Sequence, residues 1–116
     1  MILMTEITNS GNKDKKVPGG NNTEDKVFLL SLDEAETYFH GDSSRQTAAI
    51  PYAKKGNVLY VDENGYSLWW LRTPGATGEA ACYVDHLGRI QTGGMMNRFD
   101  YIGVRPAIWV ALKENK

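Results

Sequence analysis

Cysteine is nearly absent. Cys82 stands alone in 116 residues, which excludes an intrachain disulfide framework and a thiolate zinc cluster. No apolar run approaches the roughly 20 residues needed to cross a bilayer. The opening MILMTEI has neither the basic n-region nor the long apolar stretch of a secretory leader. Charge of one sign is lacking too: 13 basic residues stand against 14 acidic ones, for a net charge of -1. A dedicated nucleic-acid binder would carry a positive excess. The HExxH, P-loop, GxSxG and GxGxxG patterns are missing, as are internal repeats and heptads.

What remains is ordinary for a soluble domain. The hydrophobic fraction is 41% and the charged fraction 23%, which argues against wholesale disorder. The length allows one modest core. Met1 to Thr8 reads as a short strand or frayed arm. Asn9 to Asp25 is polar and aperiodic, with Pro18-Gly19-Gly20 as turn chemistry. It reads as a long exposed loop, mobile or ordered only by contact with another chain. Val27 to Leu30 is a short apolar run that predicts a buried strand. Ser31 and Glu34 form a capping box that opens a helix over Leu32 to Phe39. Thr47 to Lys55 is ambiguous, compatible with a second short helix only if Pro51 lies near its first turn. Val58 to Val61 and Tyr66 to Arg72 flank the turn Asp62 to Gly65, which predicts a hairpin. Ala80 to Asp85 and Arg89 to Thr92 flank His86-Leu87-Gly88, a second hairpin. Gly93-Gly94 reads as a chain break, and Gly103 to Leu112 as a final apolar strand. Short helices followed by turn-rich strands predict an α+β fold with a mostly antiparallel, twisted sheet.

Several residues carry chemistry worth weighing. In a strand, Trp69 and Trp70 point to opposite faces, so both faces need cover. Core packing is the plain reading, a stacking platform for a sugar or peptide the functional one. Arg72 and Arg105 each interrupt an apolar strand and must find carboxylates or carbonyls there. Either they fix loop ends or they contact an anionic ligand. Cys82 has apolar neighbours, which favours an inert buried thiol. Asp62 to Gly65 lacks the spacing of a calcium loop and reads as a turn.

These segments carry a resemblance. KVFLLSLDEAETYF at Lys26 to Phe39, then Arg45, Thr47 and Tyr52-Ala53, WWLRTPG at Trp69 to Gly75, Tyr83-Val84, and GVRPAIWV at Gly103 to Val110 resemble, in that order, a bacterial and phage family, domain of unknown function 6273. The resemblance covers residues 21 to 112, with Thr73 where the family commonly has Ser. It implies a preceding N-terminal half with a tryptophan-containing strand. Without that half, a sheet edge needs cover from the chain's own arm or from another chain. The chain is also distantly similar to the C-type-lectin-like fold of formylglycine-generating enzymes and of retroelement variable proteins. The calcium motif of sugar-binding lectins is absent, and Cys82 alone does not carry the enzymes' catalytic cysteine pair.

Together these readings predict a C-type-lectin-like α+β domain over residues 26–112, a mobile arm over 1–25 and a tail over 113–116. Ser31, Glu34, Trp69, Trp70, Arg72, Arg105 and Trp109 are the expected structural residues. The expected function is non-enzymatic recognition of a protein or glycan. An assembly role in a surface or phage protein is the alternative, and a degenerate relative of the formylglycine-generating enzymes is a third. Tyr83, His86, Asn97, Arg98, Asp100 and Tyr101, between WWLR and GVRP, are the candidate contacts, the plain alternative being a solvated loop. No catalytic residue, metal, cofactor, nucleic acid or membrane is expected. A homodimer through an open edge or an exchanged arm is.

Overall fold

A computed structural model describes residues 1–48, 59–96, 98 and 101–111. Ser31 starts its best-formed helix. The Ser31 Oγ accepts from Glu34 N–H at 3.1 Å, and the Glu34 carboxylate accepts from Ser31 N–H at 2.9 Å. This reciprocal cap satisfies two backbone donors and opens α1 (Leu32–Tyr38). Leu32 and Ala35 on its inner face are buried. A one-turn helix, α2 (Asp42–Arg45), follows. It lies before the Thr47 to Lys55 window, which the sequence left ambiguous. Thr47–Ala48 is instead a short strand, β3, and the rest of that window lies outside the described residues.

The central sheet is antiparallel, with β5 (Trp69–Pro74), β6 (Ala80–Val84) and β7 (Ile90–Met96) in that order. Along β5 burial alternates as the strand period demands: Trp69, Leu71 and Thr73 are buried, and Trp70 and Arg72 are half-buried. Leu32, Ala35, Trp69, Leu71, Cys82 and Val84 form the core, with Phe39 and Ile90 against it. Two smaller antiparallel pairs join β1 (Thr5–Ile7) to β2 (Thr23–Asp25), and β3 to β4 (Tyr66–Ser67). Two short helices with mostly antiparallel strands make the fold α+β. None of the described helices is long and apolar enough to cross a membrane.

The residues behind the family resemblance meet in space. Arg72 Nη1 donates to the Glu34 carboxylate and, at 2.8 Å, to the Leu29 carbonyl. Arg72 N–H donates to the Leu30 carbonyl at 2.9 Å. The Thr73 hydroxyl accepts from Leu32 N–H at 2.9 Å, a task a serine performs equally well. The FLLS, EA and WWLRT segments are thus clamped at one corner, where the arginine fork satisfies several acceptors.

Six expectations need correction. The first is the arm. Residues 9–17 dock on their own domain, because Asn12 is a peg with only 1% exposure. Its Nδ2 donates to the Pro74 and Thr92 carbonyls at 2.9 and 2.8 Å, and its Oδ1 accepts from Asp14 and Lys15 N–H. Asn9 Oδ1 and the Thr8 carbonyl also accept from Arg72. One amide side chain supplies what composition made the segment seem to lack.

The second is the C-terminal strand. Gly103 to Leu112 forms bridges only at Gly103, Ala107 and Val110, and Leu112 lies outside the described residues. Pro106 lacks the N–H a continuous ladder requires. Third, Trp109 is not core. It is 44% exposed, its carbonyl accepting from Leu3 N–H and its ring meeting Tyr38 edge to face. Fourth, the Val27 to Leu30 run is not a buried strand: Phe28 bridges to Ala107, but Val27 points outward at 57% exposure.

Fifth, Gly93-Gly94 does not break the chain. β7 runs through it, with Gly94 at φ +77° and the Ala81 carbonyl 2.5 Å from where a Cβ would stand. Only glycine fits that irregular pairing. Sixth, Arg105 finds rings rather than carboxylates. Its guanidinium lies 4.9 Å from the Phe39 and Trp69 ring centres. Its Nη1 is buried without a hydrogen-bond partner among the described residues. Stacking on two π faces offsets part of that desolvation.

Candidate functional site

The hairpin between β6 and β7 builds the best-defined part of the surface that was expected to bind. Asp85 organises its turn. The buried carboxylate accepts from Leu87 and Arg89 N–H at 2.9 Å each, and from Gln91 Nε2 at 2.8 Å. Burial alone would raise its pKa. The bonds from Arg89 and Leu87 N–H and from the Gln91 amide, with the Arg89 charge, outweigh burial and hold it below the usual carboxylate value.

The turn is also fastened to α2. Gly88 sits at φ +83°, and a Cβ there would stand 1.6 Å from the Asp42 carbonyl oxygen, so only glycine permits the approach. Arg45 Nε donates to the Gly88 carbonyl at 2.8 Å, and Gln46 Nε2 to the His86 carbonyl at 3.0 Å. Arg45 is buried, and its own carbonyl accepts from Trp69 Nε1 at 2.9 Å. His86 and Leu87 are therefore displayed at the tip of a turn rooted in the core.

Opposite them stands the turn after Val61. Asp62 Oδ1 accepts from Asn64 and Tyr66 N–H at 3.0 and 2.8 Å, closing an Asx turn. Between the two turns lies an open cleft of about 430 Å³ lined by Tyr60, Val61, Asp62, Glu63, Asn64, His86 and Leu87. The Tyr60 and His86 rings are 5.9 Å apart, inclined at 58°. The cleft offers two π faces, a phenol, an imidazole, two carboxylates and an amide, a set suited to an amphipathic ligand rich in hydrogen-bond donors.

The expected contacts divide. His86 lines the cleft. Tyr101 is not in its lining, and its carbonyl accepts from Tyr60 N–H at 2.9 Å. Tyr83 is half-buried in β6, opposite Trp70 and Gln91. Burial, then the nearby Asp85 charge and Tyr101, raise its phenol pKa, and it is not among the residues that line the cleft. Arg98 is exposed and does not line the cleft. Asn97 and Asp100 lie outside the described residues. Tyr60, Glu63 and Asn64 were missed because DENG reads as turn chemistry alone. An aromatic residue two positions before that turn was the available signal.

A second concavity, of about 270 Å³, is apolar and lined by Phe28, Leu30, Tyr38, Ala107, Ile108 and Trp109. Tyr38 and Trp109 meet edge to face there, with ring centres 6.1 Å apart. The sequence did not signal it, because its walls come from three distant segments.

Among the described residues, neither concavity is lined by an activated nucleophile. Cys82 is buried in the core, where burial and then the Asp14 charge push its thiol up to about 11. Among the described residues no three His, Cys, Asp or Glu side chains converge as metal ligands.

Comparison with known proteins matches the model of one family, described as domain of unknown function 6273, over residues 1–112. No curated protein and no solved structure matches the chain. The family match takes in the first 20 residues, which the motif pattern left out. It also takes in the segments clamped at Arg72 and the Asn12 peg that seats the arm, and on that evidence the chain belongs to the domain of unknown function 6273 family.

Proposed function

We propose that this domain is a non-enzymatic recognition module that holds an amphipathic protein or glycan segment in the Tyr60–His86 cleft. One observation carries the reading. The Tyr60 ring, beside an acidic turn, meets at 5.9 Å the His86 ring of a hairpin pinned to the buried Arg45. Rigid presentation of aromatic and polar groups at loop tips is how binding surfaces gain contact area at low entropic cost. Glu63 and Asn64 add an acceptor and a mixed donor–acceptor for sugar hydroxyls or peptide amides.

The test is binding to glycan and peptide arrays, with hits quantified by calorimetry. Tyr60→Ala and His86→Ala should each weaken a hit at least about tenfold, or roughly 1.4 kcal/mol, with melting temperature unchanged. A hit unaffected by both substitutions, or none on either array, would refute the reading. An assembly role is the second reading, favoured by the exposed apolar side chains of Met1, Met4, Trp109 and Val110.

A further inference from the structure

We propose that the cleft between Tyr60 and His86 receives the side chain of an arginine borne by a partner protein segment. This assignment rests on the recognition role and narrows its ligand to one chemistry. The charge of the walls points to it. Asp62 and Glu63 both line the cleft, and among the described residues no lysine or arginine does. The chain as a whole carries a net charge of only -1, so the excess is local. A cleft lined by charge of one sign concentrates the opposite charge.

Both carboxylates are open to a ligand. Five others are taken: Asp33 and Glu36 by Lys13, Asp42 by Arg45, Glu34 by Arg72, and Asp85 by Arg89. Neither Asp62 nor Glu63 has an ion-pair partner among the described residues. Asp62 commits Oδ1 to the Asn64 and Tyr66 N–H groups, which leaves Oδ2. Glu63 is exposed. Like charges on adjacent residues repel, and a bound cation turns that repulsion into attraction.

Charge alone does not select the ligand, because an ion pair at an exposed site contributes little. The rings add the selection. Tyr60 is 47% exposed, and the His86 ring meets it at 5.9 Å, inclined at 58°. A cation within about 6 Å of a ring centre is attracted to its face. A guanidinium is planar, so it stacks on a ring and directs its fork at a carboxylate at the same time. An ammonium is a point charge and stacks less well. The methylene stem of an arginine finds Val61 and Leu87 in the same walls. A neutral sugar would use the rings and leave both charges unanswered, and an acidic ligand would be repelled.

The experiment is an amide NMR titration of the full chain with the peptide Gly-Gly-Arg-Gly-Gly, acetylated and amidated so that arginine is its only charge. Matched peptides carry lysine, glutamate or citrulline, which keeps the shape of arginine without the charge. The arginine peptide should give saturable shifts at Tyr60, Glu63, Asn64, His86 and Leu87, with a Kd on the order of 1 mM. The lysine peptide should bind more weakly, and the citrulline and glutamate peptides at least about tenfold more weakly. The double variant Asp62→Asn, Glu63→Gln should also weaken binding at least about tenfold and keep the parent's melting curve, since asparagine retains the acceptor that closes the turn. Glu79→Gln, an exposed carboxylate at the other end of β6, should leave binding unchanged. Arginine-peptide shifts absent from the cleft overturn the proposal. So does a citrulline or lysine peptide that binds as tightly as the arginine one, or binding that ignores the double variant. A neutral or acidic array ligand that is lost with Tyr60→Ala and His86→Ala overturns the arginine and keeps the recognition role. Arrays without a hit, together with a silent titration, overturn both.

Discussion

Asn12→Ala tests how the arm is held. The side chain makes five hydrogen bonds, three donated to the Pro74 and Thr92 carbonyls and, weakly, to Cys82 Sγ, and two accepted from Asp14 and Lys15 N–H. It is almost wholly buried. A typical bond contributes about 1 kcal/mol net, and a buried carbonyl left without its donor costs more. Cys82 Sγ, 3.3 Å from the Pro74 carbonyl, is too weak a donor to replace the amide. The expected loss is therefore about 3–4 kcal/mol, a large share of the roughly 5–15 kcal/mol that stabilises a domain. At roughly 4–8 °C per kcal/mol for a domain near this size, the melting temperature should fall by about 12–30 °C. Circular dichroism melts measure it, with Lys15→Ala as the control, since only the Lys15 backbone takes part. Amide exchange should show residues 9–17 losing protection together. An Asn12→Ala protein melting within about 2 °C of the parent would refute the peg and leave the arm a loosely attached loop.

Trp69→Ala should destabilise by about 3–5 kcal/mol, the usual range for a core tryptophan, because Trp69 is 1% exposed and donates to the Arg45 carbonyl; chemical denaturation measures it. Asp85 is held below its usual pKa, so its contribution is present above the unfolded value of about 3.9 and is lost as pH falls through the lower folded value. Asp85→Asn should cost about 1–3 kcal/mol at pH 7 and flatten the acid limb of a melting-temperature profile; an acid limb as steep as the parent's would count against the assignment. Cys82, buried with its pKa pushed up to about 11, should resist a thiol-exchange reagent at pH 8 in the folded protein and react at once in denaturant. Rapid labelling of the native chain would contradict its place in the core.

Local chemistry was legible in the residues themselves. The Ser31–Glu34 box, the DENG turn and the His86-Leu87-Gly88 hairpin rest on contacts within four residues, so their spacing specifies them. The alternation of burial along β5 followed from the period of a strand.

What needed the tertiary structure is whatever depends on partners far along the chain. Asn12 looked like loop composition and is a buried peg because Pro74 and Thr92 lie 62 and 80 residues away. Arg72 was expected to need acceptors, but which ones was decided by the fold, with Glu34, Leu29 and Thr8 converging on one fork. Trp109 and Arg105 sit in the same apolar stretch, yet one is half outside and the other is stacked between rings. Hydrophobicity determines that a residue seeks cover. Only the packing of distant segments determines whether cover is there, and for the cleft at Tyr60 and His86 it brought together two turns that neither could announce alone.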